Sequence, residues 1–378
     1  MTLQSLRHLA SAVGRHGLSI ATLAEASSKR FSSRTALVTA NRRYTFQQLW
    51  RTAEAAAAGL YLHVLGRRPR MIVVVGEGED MVITLLAAHR LGLDVMPVDP
   101  GADPEVLRRS VPADALLVHE QDKPDWHRGP AVSTARLSEL AEASGTNLGR
   151  TKRRSRIILL SSGRSGVPRA HVTKPIGFGG VVQLTALHRR IGISERDRVL
   201  ACTPLQHGHG LQLLASCLLT GAKLVYAPSS DASELLDLML NERITVASGK
   251  PSKFEHMASL LEESQRPAPP LRRIVCSSEP LEPELVERMN KLWGPVIMNS
   301  YGMTETGTVA LATPEQVLRH PGTVGKPLPG VEIGIVGSPV WANAEGRIWV
   351  RGGNRTVITG DFGRIRHRLI YVDSTDAR

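Results

Sequence analysis

Residues 160–170 read Leu-Ser-Ser-Gly-Arg-Ser-Gly-Val-Pro-Arg-Ala and follow an apolar run from Ile157 to Leu160. A buried strand that empties into a loop of small residues presents the hydroxyls of Ser161, Ser162 and Ser165. Gly163 and Gly166 let the backbone turn N–H groups toward one point, and Arg169 adds a fixed positive charge. Amides and hydroxyls donate to phosphate oxygens while a cation offsets their charge, so the segment suits a polyphosphate. It is not the lysine-bearing phosphate loop: no Gly-Lys-Ser/Thr triplet opens a helix, and Pro168 stands where that helix would run. Taken alone, the same residues also describe a surface turn.

A second segment, Asn299-Ser300-Tyr301-Gly302-Met303-Thr304-Glu305-Thr306-Gly307, follows a predicted strand at Pro295–Met298. A threonine hydroxyl beside a carboxylate can serve a phosphate oxygen and the magnesium ion that accompanies it. Tyr301 offers a flat face to a base. Taken alone, this peptide is equally a strand-to-helix turn capped by Thr304. The third segment is Thr359-Gly360-Asp361-Phe362-Gly363-Arg364. In this order and spacing, the three resemble the adenylate-forming (AMP-binding) superfamily of acyl-CoA synthetases, luciferases and peptide-synthetase adenylation domains. The first matches its Ser/Thr-Gly-rich phosphate loop and the second its Tyr-Gly-x-Thr-Glu motif. The third matches the stretch that carries a ribose-binding aspartate. The resemblance runs from about Thr22 to the C-terminus.

That resemblance implies an α/β fold, the large N-terminal domain of the adenylate-forming enzymes. It would span 1–372, with layered β/α subdomains over 1–321 and a small β unit over 322–372. It also implies attack of a carboxylate on the α-phosphate of ATP, giving an acyl-adenylate and pyrophosphate. Ser161, Ser162, Gly163, Ser165 and Gly166 would cradle the β- and γ-phosphates. Arg169 stands where the family usually has lysine. Thr304 would contact the α-phosphate, Glu305 would hold Mg2+, Tyr301, with Gly302 beside it, would lie on the adenine, and Asp361 would grip the ribose. Ser277-Ser278-Glu279-Pro280-Leu281 resembles the turn that lines the adenine pocket, with serines where glycines are usual. Thr203-Pro204-Leu205-Gln206-His207-Gly208-His209-Gly210 resembles the segment whose histidine, here His207, borders the acyl carboxylate.

The chain departs from the family pattern near its end. Thr375 takes the place of a hinge arginine, residues 373–378 read as a hinge remnant, and the C-terminal α+β domain is expected to be absent. The stretch between Gly352 and Thr359 is also shorter than usual. The expected function is therefore ATP-dependent activation of a hydrophobic, fatty-type carboxylic acid, with CoA as a possible co-substrate. It would be slow, or complemented in trans by a separate C-terminal domain, with a carrier protein as a further possible partner. The alternative is a non-catalytic protein that binds ATP or acyl-adenylate.

Other chemistries fit less well. Cys202, His207 and His209 suggest zinc, but no fourth ligand lies at metal-site spacing. Gly76-Glu77-Gly78-Glu79-Asp80 after Met71–Val75 resembles a dinucleotide-binding start. It lacks the third glycine, and its acids would repel a pyrophosphate at the helix start. The net charge of +12 invites nucleic acid, with Lys152-Arg153-Arg154-Ser155-Arg156 the densest run. Aromatics at 4% are too few for interleaved stacking platforms, so no nucleic-acid partner is expected. The run would draw in ATP or be a solvated face. No apolar stretch approaches the ~20 residues of a membrane span. Three cysteines without paired spacing suit a reducing cytoplasm.

These segments need a scaffold, and the chain alternates strand-like and helix-like stretches that would supply one. Met71–Val75, Asp94–Val98, Ala222–Ala227, Ile244–Ala247, Leu271–Cys276 and Pro295–Met298 read as strands. Asp80–Leu91, Leu211–Leu219, Ala232–Arg243 and Pro283–Trp293 have helical spacing, as do Leu3, Leu6, Leu9 and Val13. Such alternation predicts largely parallel sheets. After Gly322 the pattern shortens to Val331–Val336, Arg347–Arg351, Thr356–Ile358 and Leu369–Val372, between Gly, Asn and Pro.

Overall fold

The structure, a computed structural model, describes residues 3–64, 71–120, 123–144, 148–151, 153–160, 170–173, 178–228, 230–304, 306–340, 342–352 and 355–373. The chain groups into two compact units, one of residues 1–177 with 204–223, the other of 178–203 with 224–378.

The first unit opens with α1 (Leu3–His16) and α2 (Ile20–Arg30), then the hairpin β1 (Thr35–Val38) and β2 (Arg43–Thr45). After α3 (Phe46–Val64) come β3 (Met71–Val75), α4 (Gly78–Leu91), β4 (Asp94–Val98), α5 (Pro104–Ser110), β5 (Leu116–His119), β6 (Ala131–Ser133) and α6 (Thr134–Ser144). Strands β4-β3-β5-β6 form a parallel sheet in that order, with Met71 opposite Asp94 and Ile72 opposite Leu116. Met71, Val73, Met96, Val98, Leu107, Leu117, Trp126 and Ile158 form one core on it. The two carboxylates at the start of α4 are each held by a threonine hydroxyl. Thr39 donates to Glu79 at 2.6 Å and Thr134 to Asp80 at 2.9 Å, while burial, with Glu79 nearby, raises the Asp80 pKa. Two strands of three residues, β7 (Ile158–Leu160) and β8 (Ala170–Val172), pair antiparallel, Leu160 opposite Ala170.

The chain then enters the second unit for α7 (Phe178–Ile191) and β9 (Arg198–Ala201), and returns to the first for α8 (Gly208–Thr220). From β10 (Lys223–Tyr226) onward come α9 (Ala232–Asn241), β11 (Val246–Gly249), α10 (Pro251–Ser264), β12 (Arg273–Cys276), α11 (Pro283–Trp293) and β13 (Ile297–Met303). Then follow β14 (Gly307–Ala312), α12 (Pro314–Arg319), β15 (Thr323–Pro327), β16 (Val331–Ile335), β17 (Ala344–Gly352), β18 (Arg355–Arg366) and β19 (Leu369–Asp373).

The strand order in the second unit is β10-β9-β11-β12-β13-β14-β15-β19-β18-β17-β16. Pairing is parallel from β9 through β13, where helices return the chain, and antiparallel from β13 to β16. Local signals agree with the elements. Asp231 and Glu234 make a reciprocal cap on α9, and Pro283 starts α11 where its missing N–H costs nothing. On β17, Ile348 and Val350 point into a core with Ile333, Ile335 and Ile365, while Arg347 and Arg351 are exposed. Each such aliphatic side chain, once buried, contributes ~1.5–3 kcal/mol.

The chain's three cysteines, Cys202, Cys217 and Cys276, are all buried and outside any disulfide. Burial pushes the Cys202 thiol up to about 12 and raises that of Cys276. Among the described residues, no helix is long and apolar enough to cross a membrane.

Candidate functional site

Three segments of the second unit carry the residues expected to hold the nucleoside. Strand β13 continues beyond the predicted Met298 to Met303, so Tyr301 and Gly302 are strand residues. Met303 pairs with Gly307 across a tight hairpin into β14, and Thr306 N–H donates to the Met303 carbonyl. The helix start that Thr304 would cap does not form. Thr304 sits at the hairpin tip, half-buried, and Glu305 lies outside the described residues. Glycine is required at 302, because a Cβ there would stand 2.3 Å from the Gly307 carbonyl oxygen and 2.7 Å from Thr308 Cα. From α7, Gln183 Nε2 donates to the Thr308 carbonyl at 2.7 Å and so braces this hairpin.

Asp361 lies in β18, 2% exposed, and the hydroxyl of Tyr301, 6% exposed, donates to its Oδ2 at 2.7 Å. Two motifs sixty residues apart in sequence therefore meet in a buried hydrogen bond. Thr359 organises the approach: its hydroxyl donates to the Ile348 carbonyl at 3.0 Å and accepts from Asp361 N–H at 3.1 Å. Gly363 permits a close strand crossing, since a Cβ there would meet the Tyr371 carbonyl oxygen at 2.2 Å.

The Ser277–Leu281 turn leaves the carboxyl end of β12. Ser278 adopts φ +73, the left-handed region that favours glycine, and is exposed, as is Pro280. Glu279 is tied to the start of α10. Its Oε2 accepts from Ser252 N–H at 3.2 Å, in the first turn of α10, and its Oε1 pairs with Lys250 at 3.2 Å. Burial alone would raise its pKa, but the Ser252 bonds and the Lys250 ammonium bring it below the usual carboxylate range. Lys250 and Ser252 belong to none of the motifs in the sequence. The signal available was a lysine directly before a helix-opening proline at a strand's carboxyl end.

In the first unit, β7 and β8 flank residues 161–169. Ser161, Ser162, Gly163, Ser165, Gly166 and Arg169 lie outside the described residues. His207 is the N-cap residue of α8, exposed, with extended backbone, and its N–H donates to the Pro204 carbonyl at 3.2 Å. Gly210 fits because a Cβ would stand 2.5 Å from that carbonyl oxygen. Burial pushes His209 down to about 4, leaving a neutral ring. Among the described residues, no group of three or more His, Cys, Asp or Glu could hold a metal ion. The fit of Mg2+ thus rests on Glu305 in the sequence.

The basic run is not a free lure. Arg153 and Arg156 both bind the carboxylate of Asp94, and Lys152 lies outside the described residues.

The AMP-binding enzyme family model matches residues 24–359, and the chain belongs to that family. A 2-succinylbenzoate–CoA ligase of Bacillus velezensis is 28% identical over 345 residues, covering 88% of this chain and 68% of the relative. A 4-coumarate–CoA ligase-like protein of Oryza sativa subsp. japonica is 26% identical over 86% of this chain and 65% of its own length. The chain thus spans about two thirds of these curated relatives. In fold it is similar to o-succinylbenzoate coenzyme A synthetase of Bacillus subtilis, solved in complex with ATP and magnesium ion. The TM-score is 0.81 at 22% identity, covering 93% of this chain and 78% of that one. The adenylate-forming N-terminal-domain fold expected from the sequence is therefore the fold observed.

Proposed function

We propose that the chain activates a carboxylic acid with ATP to form an acyl-adenylate. The observation that supports this best is the buried hydrogen bond from Tyr301, inside the family-matched region, to Asp361, two residues beyond the end of the match. A carboxylate accepts hydrogen bonds at more than one lone pair, so a tyrosine bond is compatible with binding ribose hydroxyls. The Tyr301 ring then takes the adenine, beside the Ser278, Glu279 and Pro280 turn.

In the reaction, a carboxylate oxygen attacks the α-phosphorus while the bond to the bridging oxygen breaks. Pyrophosphate leaves with that electron pair, and no proton is transferred. The protein's task is to hold two anions in line and neutralise the charge that builds at phosphorus. Ser161, Ser162, Gly163, Ser165 and Gly166 donate to the β- and γ-phosphates, Arg169 offsets their charge, and Thr304 donates to the α-phosphate. His207 borders the carboxylate. Bound through Glu305, Mg2+ supplies charge neutralisation on the phosphates.

The acid is hydrophobic. The near-continuously apolar α8 supports a fatty chain, while the succinylbenzoate and coumarate named for the two relatives support an aryl group. The CoA ligases among the relatives support CoA as the acceptor for the second half-reaction. The test is ATP–pyrophosphate exchange with a panel of fatty and aryl acids, alongside calorimetry of magnesium-ATP. Acid-dependent exchange is expected. Binding without exchange, for every acid in the panel, would leave only a nucleotide-binding role.

A further inference from the structure

Ahead of the Ser/Gly segment, the chain crosses the end of α4 and the start of β4 along a seam of polar contacts, all within the first unit. Arg90 donates to the carbonyls of Leu148 at 2.7 Å and Gly149 at 3.0 Å, and the Thr151 hydroxyl donates to the Arg90 carbonyl. Ser155 Oγ lies 2.7 Å from His89 Nδ1. Gly92, at φ +72, lets the segment lie close, since a Cβ would stand 2.6 Å from the Arg153 carbonyl oxygen.

The strongest point is Asp94. Its side chain is 4% exposed, and it accepts from Arg156 N–H at 2.9 Å, Arg156 Nη2 at 2.6 Å, Arg156 Nε at 3.1 Å and Arg153 Nη2 at 2.7 Å. A buried carboxylate persists only when so satisfied, and removing a partner is costly. Immediately beyond, Val95 N–H donates to the Arg156 carbonyl at 2.9 Å, and Val95 bridges Ile157 in parallel. Ile157 N–H in turn donates to the Thr173 hydroxyl, and Thr173 N–H to the Ile157 carbonyl. With only three residues per strand, β7 and β8 gain little from their own ladder.

We propose that Asp94 is a positioning residue for nucleotide phosphate binding: by holding Arg153 and Arg156 it fixes β7, the strand that leads into residues 161–169. This rests on the reading of that segment as the phosphate-binding one. Two members of the basic run, Arg153 and Arg156, serve as the outer half of an ion-pair clamp whose buried half is Asp94. Such a residue affects the β- and γ-phosphates selectively and leaves the nucleoside contacts alone.

The test compares magnesium-ATP with AMP by calorimetry on the full chain, with amide hydrogen exchange over 157–173 as a second readout. Asp94→Asn is expected to weaken ATP about tenfold and AMP less than about twofold, the scale for misplaced donors. Exchange over 157–173 is expected to quicken, and Arg156→Lys to retain most of the ATP affinity. Equal weakening of ATP and AMP, or wild-type affinity for both, overturns the proposal. If Asp94→Asn does not fold, the same ATP-to-AMP ratio in Arg156→Gln, which keeps the backbone bond and Arg153, decides in the same way. Wild-type protein that binds no ATP refutes the functional reading and, with it, the role in phosphate binding. Unchanged exchange in Asp94→Asn separately refutes the clamp.

Discussion

The two regions that carry the site residues are built on opposite plans. Around Tyr301 and Asp361, long strands hold the chemistry: β13 has seven residues and β18 twelve, and the hydrogen bond between the two side chains is buried. Around residues 161–169, the flanking strands have three residues each, and Asp94 with its two arginines adds an ion-pair tie to their unit just ahead of β7. Packing of long strands holds the first region, whereas the second adds an ion-pair cluster to the packing of Ile158 and the backbone bridge at Val95. Packing is insensitive to salt, whereas partly exposed ion pairs weaken as salt rises. On the proposed roles, the nucleoside would meet the packed region and the phosphates the one backed by ion pairs.

Breaking the packed region should give the largest effect. Asp361→Ala is expected to weaken ATP and adenosine alike, by about ten- to hundredfold, the scale of a lost charged hydrogen bond. Calorimetry with both ligands checks this, and a loss confined to ATP would assign Asp361 to the phosphates. Next in size is Gly302→Ala, whose methyl would overlap the Gly307 carbonyl. It should cost about 2 kcal/mol, the scale of overpacking, read as a lower unfolding midpoint in urea.

Acid sharpens the contrast between the regions. Burial pushes His89, in the seam, down to about 4, whereas the unfolded chain protonates its histidines near 6.5. Protons then bind the unfolded state more strongly, so stability falls as pH drops from about 6.5 to about 4, by up to ~1.4 kcal/mol per pH unit for this group. His209, also down at about 4, adds in the same direction. Arg156 holds the Asp94 carboxyl below its usual range against the opposing effect of burial. Its contribution is complete above that range and is lost only at still lower pH. Urea melts at stepped pH should show the histidine decline first, and His89→Gln should flatten it. The smallest effect is a gain: Ser278→Gly relieves a left-handed serine and should stabilise by about 1 kcal/mol. An unchanged urea midpoint would show that the turn relaxes in solution.

Regular periodicity made much of the scaffold legible. Met71–Val75, Asp94–Val98 and Pro283–Trp293 form as read, because apolar runs and a first-turn proline leave little choice. The segment around Asp361 was harder. Gly360 and Gly363 suggested a break between two short strands, yet β18 is continuous from Arg355 to Arg366. Gly363 marks a close approach to Tyr371, and sequence alone does not distinguish that from a turn. The Thr304 hairpin was ambiguous for a similar reason, since threonine suits a helix cap and a strand turn equally. The partnership of Asp94 with arginines some sixty residues away left no local trace at all. A lone aspartate opening an apolar strand gives no hint of its counterions.

The burial of all three cysteines has a practical consequence. Only the thiolate attacks maleimides and iodoacetamides, and thiols shielded from the reagent react slowly, the more so where burial also holds them protonated, as at Cys202 and Cys276. The native chain is therefore close to silent toward such reagents. Ile358, 60% exposed, lies three residues before Asp361 on the same strand. Ile358→Cys would offer a single fast-reacting handle there, and a fluorophore attached to it would report nucleotide arrival with every native cysteine left in place.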